Sequence, residues 1–263
     1  HCDASMRYVD AMPGKMNQLS TNHEPMNSPT AVAMVGLGAL GLPMAINLRR
    51  AGYRLNVHTR SRLAESSAEL VDDQGPKVTC SRSPDEATDG CGVLLICVSD
   101  DAAVQDVLWG DKGAGFALAP GNLVIDCSTI APATAEAMAK RLAERNVHYI
   151  DAPVTGGTEG AKAGTLTVLC GGDSMVLEQA RPLLEVIGGS IHHFGPVGSG
   201  QQVKAVNQVL VAGSYAAVAE AIALGQHLQL PMEQVVAALI GGAAGSWALQ
   251  HRSAAMLADQ YPL

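Results

Sequence analysis

Aromatic residues and positive charges are scarce in this sequence. Only 3% of its 263 residues are Phe, Trp or Tyr, and 17 Lys and Arg stand against 25 Asp and Glu, which gives a formal net charge of −8. This is too little positive charge for a face that neutralises a phosphate backbone, so we expect no nucleic-acid binding. The core must be aliphatic, and the 28 Gly favour helices packed closely on a sheet.

Long apolar runs are also missing. None approaches the roughly 20 residues of a membrane span, and the polar residues 1–30 contain no apolar stretch of the kind a signal peptide needs. We therefore expect a soluble protein with a flexible N-terminal tail over residues 1–30. The six cysteines form no Cys-x-x-Cys pair, so we expect no metal site and a reduced, cytoplasmic compartment.

From residue 31 onward, short apolar runs alternate with helical patterns. Strands are predicted at 31–35, 53–58, 93–98, 123–126, 147–151 and 165–169, with helices at 40–51 and 132–144 and another after Asp173. The runs are continuous rather than alternating, as in strands buried on both faces of a parallel sheet. We therefore predict an α/β fold, a Rossmann-type doubly wound parallel sheet over residues 31–194.

The pattern changes after Gly200. Residues 201–228 keep a helical period without interruption except at Gly213 and Gly225, and a further helix is predicted from Pro231 toward Gly241. We therefore predict an all-helical C-terminal domain over residues 195–263, beginning with one long helix.

A glycine-rich turn joins the first predicted strand to the first helix. It reads Gly36-Leu37-Gly38-Ala39-Leu40-Gly41. In a dinucleotide-binding turn, the first glycine permits the tight bend, the second lets backbone approach the pyrophosphate, and the third lets helix and strand pack closely. The free N–H groups of the helix then face the anion. A plain structural turn is the alternative, but the strand and helix on either side favour a cofactor site.

The second predicted strand ends without the carboxylate that accepts hydrogen bonds from the ribose of NAD. Arg60 and Arg62 follow that strand instead. A guanidinium can form charge-assisted hydrogen bonds with the 2′-phosphate of NADP. The sequence therefore favours NADP over NAD through Arg60, while Arg62 is better explained as a solvated surface charge.

Two later segments carry groups suited to a small carboxylate substrate. Asp151-Ala152-Pro153-Val154-Thr155-Gly156-Gly157 leaves a strand for a glycine-rich loop whose N–H groups and hydroxyl can hold a carboxylate. Lys204 and Asn207 share one face of the long helix. We expect Val203, Val206 and Leu210 to desolvate the ammonium and lower its pKa, although such a lysine more often reaches out to solvent.

Taken together, these segments resemble the β-hydroxyacid dehydrogenase family, which includes 3-hydroxyisobutyrate dehydrogenase. The resemblance runs from about Ala31 to the C-terminus and extends the first motif to Met44. In the second motif, Thr155 replaces the family's serine and keeps the hydroxyl. Residues 241–246 (GGAAGS) are similar to the tartronate semialdehyde reductase branch. Family members continue beyond the position of Leu263 with helices that carry a second, cofactor-side lysine, so we expect a truncated helical domain.

The resemblance implies a reaction and a set of roles. Hydride would pass between NADP, or NAD, and a small 3-hydroxy acid or semialdehyde, with Lys204 as the proton donor or acceptor. Substrate contacts would come from Thr155, Gly156, Gly157 and Asn207, and cofactor contacts from residues 36–41, Arg60, Val98, Ser99 and Thr129. We also expect a homodimer or tetramer formed through the long helix. An imine reductase-like enzyme and a non-catalytic dinucleotide-binding module remain alternatives.

Overall fold

The computed structural model of the protein describes residues 31–60, 70 and 75–260. The predicted tail over residues 1–30 and the arginine at position 62 lie outside these residues.

Six parallel strands form the main sheet, in the order β3-β2-β1-β4-β5-β6. They are β1 (Val32–Val35), β2 (Leu55–His58), β3 (Val78–Cys80), β4 (Val93–Ile96), β5 (Leu123–Asp126) and β6 (His148–Asp151). The strand order reverses between β1 and β4, and the carboxyl ends of the strands open a crevice at that point. The predicted Rossmann-type fold is confirmed.

Helices cover both faces of this sheet. They are α1 (Gly41–Arg50), α2 (Pro84–Thr88), α3 (Asp101–Trp109), α4 (Ala114–Ala117) and α5 (Pro132–Ala143), with α6 (Gly157–Ala163) and α7 (Ser174–Ile187) later in the chain. Successive strand residues point to opposite faces. Met34 and Leu95 therefore belong to a core shared with α1 and α7, whereas Leu94 and Ile96 belong to a second core with α3 and α5.

The run at 165–169 does not extend the main sheet, and our prediction on this point is wrong. It forms β8 (Leu166–Cys170) of a separate sheet with β7 (Val154–Thr155) and β9 (Gly188–His193). The chain turns back after β7 at Gly156 and Gly157, whose φ angles are +127° and +68°. This reversal pairs β7 with β8 in antiparallel fashion, so β8 leaves the plane of the main sheet.

The C-terminal part is helical, with α8 (Ser199–His227), α9 (Met232–Leu239) and α10 (Trp247–Leu257). Gly213 and Gly225 do not break α8, and Gly225 allows Met232 of α9 to approach closely. By length and composition α8 passes the test for a membrane-crossing helix. One such helix is weak evidence for a membrane, although only 17% of its apolar window is buried in the structure.

Candidate active site

The glycine-rich turn lies in the crevice between β1 and β4. Gly36 has a φ of +97°, and a Cβ there would lie 2.1 Å from the carbonyl oxygen of Cys97. A Cβ at Gly41 would lie 1.9 Å from the carbonyl oxygen of Gly36, whereas one at Gly38 would have no neighbour within 4 Å. Gly36 and Gly41 are therefore required by packing. The absence of a side chain at Gly38 instead leaves open space for a ligand, as a pyrophosphate requires.

A cavity of about 730 Å³ opens over this turn. Its walls include most of the predicted cofactor residues, namely Gly36, Leu37, Gly38, Ala39, Leu40, Gly41, Arg60, Val98 and Ser99. Thr129 is exposed and is absent from these walls, so its role stays a prediction. Sequence reasoning missed other residues of the cavity wall, among them Val107 and Lys112, because no motif marks them and only the fold brings them to the crevice.

Arg60 follows the carboxyl end of β2 at the rim of this cavity and is exposed. The nearby Asp100 has a pKa below its usual value, mainly because the Ser99 hydroxyl donates to it and only in small part because of the charge of Arg60. The guanidinium of Arg60 thus lies near the cavity. Among the described residues, no carboxylate forms an ion pair with it. Its charge is available to an anionic group of a ligand.

Buried hydrogen bonds fix the backbone on the β4 and β5 side of the cavity. The N–H of Val98 donates to the Ser128 hydroxyl at 3.0 Å, and the N–H of Ser128 donates to Asp126 at 2.9 Å. The Tyr149 hydroxyl donates to the same carboxylate at 2.9 Å. Burial raises the pKa of Asp126 above its usual value, while the hydrogen bonds from Ser128 and Tyr149 oppose that rise. The network holds the Val98 segment in place.

Lys204 lies in the first turns of α8 and is only 8% exposed. Its Nζ donates to the carbonyl oxygen of Val154 at 2.8 Å. Burial lowers the pKa of this ammonium below its usual value, so the group exchanges its proton more readily than a solvated lysine.

The cause of this burial differs from our expectation. Of the three residues predicted to desolvate the ammonium, Val203 is half-buried, whereas Val206 and Leu210 are 64% and 69% exposed and do not desolvate it. The side chain instead turns inward toward the start of β7. The apolar pattern of α8 does not show which face of the helix is buried. It therefore could not reveal that Lys204 faces inward while its apolar neighbours face outward.

The glycine loop lies directly beside Val154. Thr155 ends β7, and Gly156 and Gly157 begin α6 with positive φ angles. The Asn207 amide donates to Gln208 at 3.1 Å, and no hydrogen bond between Asn207 and Lys204 is described. The loop and the lysine are therefore brought together, while the role of Asn207 stays a prediction.

The last helix contacts the same loop. Arg252 of α10 forms an ion pair with Glu159 of α6 at 3.1 Å and lies over the Trp247 ring at 4.7 Å from its centroid. The hydrogen bond from Arg252 lowers the pKa of Glu159 to about 2. Among the described residues, no group of three or more His, Cys, Asp and Glu could hold a metal ion. The site therefore offers a dinucleotide cavity, a glycine loop and one buried amine.

Two family models match this chain. The NAD binding domain of 6-phosphogluconate dehydrogenase matches residues 31–195. The model described as the NAD-binding domain of NADP-dependent 3-hydroxyisobutyrate dehydrogenase matches residues 198–263.

Curated relatives match most of the chain. An NAD-dependent L-serine dehydrogenase of Pseudomonas aeruginosa is 40% identical over 219 residues, which cover 83% of this chain and 72% of the relative. A 2-hydroxy-3-oxopropionate reductase of Escherichia coli is 38% identical over 219 residues, with 83% and 73% covered.

Solved structures are also similar to this chain. The Mycobacterium tuberculosis 3-hydroxyisobutyrate dehydrogenase with L-serine is 32% identical at a TM-score of 0.71, over 85% of this chain and 74% of that one. An imine reductase from Myxococcus stipitatus with NADP+ is 19% identical at a TM-score of 0.68, over 80% and 71%. The latter likeness shows the shared fold alone.

The glycine geometry predicts that stability and cofactor binding can be separated. Gly38→Ala should change the free energy of unfolding by less than about 1 kcal/mol but weaken NADPH binding at least about tenfold, because its methyl group fills the open space. Gly41→Ala should instead lower the free energy of unfolding by about 1–3 kcal/mol, because its Cβ overlaps the Gly36 carbonyl. Urea unfolding and NADPH fluorescence titration measure both quantities. Unchanged NADPH affinity in Gly38→Ala would place the pyrophosphate elsewhere.

Arg60 provides a test of cofactor choice. Loss of a charge-assisted contact with the 2′-phosphate costs about 1.5–3 kcal/mol, so Arg60→Ala should weaken NADP about ten- to a hundredfold and leave NAD nearly unchanged. Arg54→Ala is the matched control, since Arg54 is an exposed arginine just before the opposite end of β2. Calorimetric titration of the parent and both variants with each cofactor measures the six affinities. Equal loss for NAD and NADP would show that Arg60 does not read the phosphate.

Proposed function

This chain belongs to the family of NAD(P)-dependent dehydrogenases that includes 3-hydroxyisobutyrate dehydrogenase, and we propose that it interconverts a small 3-hydroxy acid and its semialdehyde. The observation that carries this proposal is the buried amine of Lys204, held at the Val154 carbonyl beside the glycine loop. The dinucleotide cavity supports the redox half of the reaction.

Each group of the site has a proposed task. A bound nicotinamide cofactor supplies or accepts the hydride. The turn from Gly36 to Gly41 binds its pyrophosphate, and the Val98 and Ser99 backbone lies along the nicotinamide side. Lys204 gives its Nζ proton to the substrate carbonyl oxygen during reduction, and in neutral form it takes the hydroxyl proton during oxidation. Burial lowers the pKa of Lys204, which makes its neutral form easier to reach than that of a solvated lysine.

The substrate is proposed to bind through its carboxylate. The hydroxyl of Thr155 and the N–H groups of Gly156 and Gly157 would donate hydrogen bonds to this carboxylate at the loop between β7 and α6. Asn207, on the same side of α8 as Lys204, orients the reacting oxygen. Arg252 and Trp247 close the far side of the loop.

Substrate class follows from what the relatives' substrates have in common. L-Serine and 2-hydroxy-3-oxopropionate are named for two of the relatives. Both are three-carbon carboxylates that carry oxygen at the third carbon, as hydroxyl or as aldehyde. We therefore propose a short carboxylate with a hydroxyl or oxo group at this carbon, including 3-hydroxyisobutyrate and tartronate semialdehyde, with NADP preferred over NAD because of Arg60.

A panel of substrates tests this proposal against the alternatives. L-Serine, 3-hydroxyisobutyrate, glycerate and cyclic imines are each assayed with NADP(H) and NAD(H). Turnover of the hydroxy acids supports the proposal, and turnover of the imines alone would favour an imine reductase. Cofactor binding without turnover of any of them would favour a non-catalytic dinucleotide-binding module.

Compartment and assembly are also proposals. The five cysteines within the described residues are all free thiols, which fits a reduced, cytoplasmic compartment. Val206, Val209, Leu210 and Leu224 of α8 are 60–73% exposed on one helix face. A second copy of the chain would bury this face in a homodimer or tetramer. Glu220 places an exposed charge on α8 and disfavours a membrane as the partner.

Lys204→Ala should lower turnover about 10²–10⁴-fold, the range that acid and base catalysis supplies. The affinity for NADPH should barely change, because the cofactor cavity lies on other elements. The measurement is steady-state turnover of the best substrate of the panel, with fluorescence titration of NADPH alongside. Lys140→Ala, which removes an exposed lysine, should keep parent turnover.

Lys204→Arg sharpens this test. It should not restore activity, because a guanidinium keeps its charge but does not release its proton near neutral pH. An alanine variant that retains more than about a tenth of parent turnover would show that Lys204 is structural.

The exposed face of α8 predicts self-association. Sedimentation should show a species of at least twice the chain mass of 27.2 kDa, and Leu210→Glu should shift it toward the monomer because it buries a charge at the interface. Gln226→Glu is the matched control, since it adds the same charge at an exposed polar position of α8. A monomeric parent at all micromolar concentrations would contradict the proposal.

A further inference from the structure

The buried carboxylate of Asp151 closes the N-terminus of α8. Its Oδ1 accepts from the N–H of Gly198 at 2.8 Å, and its Oδ2 accepts from the N–H of Gln201 at 2.9 Å. The first N–H groups of a helix have no partner within the helix. Here the residue before the helix is a glycine, which has no side chain to cap them. A strand of the main sheet therefore supplies the cap.

The surroundings of this carboxylate have no room for side chains. A Cβ at Gly171 would lie 2.5 Å from Oδ1, and a Cβ at Gly200 would lie 2.8 Å from Oδ2 and 2.2 Å from the carbonyl oxygen of Leu169. Asp151 and Gly171 also exchange both backbone hydrogen bonds, at 2.8 and 3.1 Å. The helix end, the second sheet and β6 thus meet around one side chain.

The same short segment that carries Asp151 also holds the amine. Val154, three residues after Asp151, accepts the hydrogen bond from Lys204 Nζ. Gln201 and Lys204 are three residues apart and so lie on neighbouring positions of one helical turn. The segment from Asp151 to Val154 is therefore bound to the start of α8 at both ends, which fixes the position of Nζ beside the glycine loop.

Gln201 continues this connection toward the cofactor. Its side-chain amide donates to the Ser128 carbonyl at 2.8 Å, and its side-chain oxygen accepts from the N–H of Ile130 at 3.2 Å. The Ser128 hydroxyl in turn accepts from Val98 in the cavity wall. One set of buried hydrogen bonds thus links the helix that carries the amine to the segment that lines the cofactor cavity.

We infer that Asp151 is a positioning residue, which places the Lys204 amine relative to the substrate loop by anchoring the first turn of α8. This inference rests on the proposed role of Lys204 in proton transfer. Asp151 acts through its hydrogen bonds to the Gly198 and Gln201 N–H groups, because no ion pair between Asp151 and Lys204 is found among the described residues and Nζ donates to Val154 instead. Release of the anchor should let water reach the ammonium, and its pKa should rise toward the ordinary lysine value.

Asp126 provides a matched control. It is a fully buried carboxylate paired with Asp151 in the register of β5 and β6. It accepts from Ser128 and Tyr149 but has no hydrogen bond to α8 among those described. Asp151→Asn and Asp126→Asn therefore make the same chemical change on adjacent strands, and only the first removes an acceptor from the helix end.

The test is a titration of Lys204 that does not depend on turnover. Purified protein is acetylated with acetic anhydride over a pH series, and mass spectrometry follows Lys204 against exposed Lys140. In Asp151→Asn the pKa of Lys204 should rise, and hydrogen exchange at the Gly198 and Gln201 amides should quicken at least about tenfold. Asp126→Asn should change both quantities far less than Asp151→Asn does, because Asp126 reaches α8 only indirectly, through Ser128 and Gln201. An unchanged Lys204 titration in Asp151→Asn, or an equal change in Asp126→Asn, would overturn the inference.

A measurement on the parent protein covers the case in which Asp151→Asn does not fold. The amides of Gly198 and Gln201 should exchange slowly, although first-turn amides of a helix usually lack a partner. Rapid exchange at both would show that Asp151 does not hold the helix end. Failure of the proposed function can be told apart from failure of this inference. It would appear as full turnover in Lys204→Ala, a result that does not depend on the titration of Lys204 in the parent or in Asp151→Asn.

Discussion

The hydrogen bonds between the Asp151 carboxylate and the start of α8 tie the functional parts of this molecule together. They join the last strand of the main sheet to the helix that carries Lys204, and they do so where Gly171 and Gly200 allow backbone to surround the carboxylate. An unpaired buried carboxylate is costly. Two N–H donors at a helix N-terminus offset that cost, because the helix dipole favours negative charge there. The same two hydrogen bonds thus offset the cost of burying the carboxylate and fix the orientation of the helix.

Two connections lead from this junction to the groups of the proposed site. The chain beyond Asp151 reaches the Val154 carbonyl and then the glycine loop, so the amine and the proposed carboxylate site stay together. The side chain of Gln201 reaches the Ser128 carbonyl, and from there the hydrogen bonds lead to Val98 at the cofactor cavity. Proton transfer and hydride transfer need their partners within about 3–3.5 Å of one another. The hydrogen bonds between α8 and the Val98 segment are a means of holding the Lys204 amine and the cofactor cavity at a fixed distance from each other.

Local sequence signals predicted the parts of this arrangement but not how they connect. The glycine turn and the buried strands carry their own patterns, and Gly36 and Gly41 occupy the tight positions that the motif requires. The run at 165–169 was assigned to the wrong sheet, because the reversal at Gly156 and Gly157 depends on φ angles that composition does not reveal. β9 begins with Gly188 and Gly189 and ends with His192 and His193, so it shows no apolar run.

The role of Asp151 was invisible for a different reason. Its partner Gln201 lies 50 residues away in the chain, and a contact at this separation leaves no trace in hydrophobic periodicity. An acidic residue at the buried carboxyl end of a strand was the available signal. The inward direction of Lys204 had no signal at all, since Val206 and Leu210 beside it are exposed.

A double-mutant cycle on turnover tests the central claim most directly, because residues that act as one unit give non-additive effects. The variants are Asp151→Asn, Lys204→Met and the two combined, assayed with NADPH and the best aldehyde substrate. If Asp151 works by placing Lys204, Asp151→Asn should slow the parent but change the Lys204→Met protein by less than about threefold. If the two losses multiply instead, Asp151 and Lys204 contribute independently, and the account of an anchored proton donor is wrong.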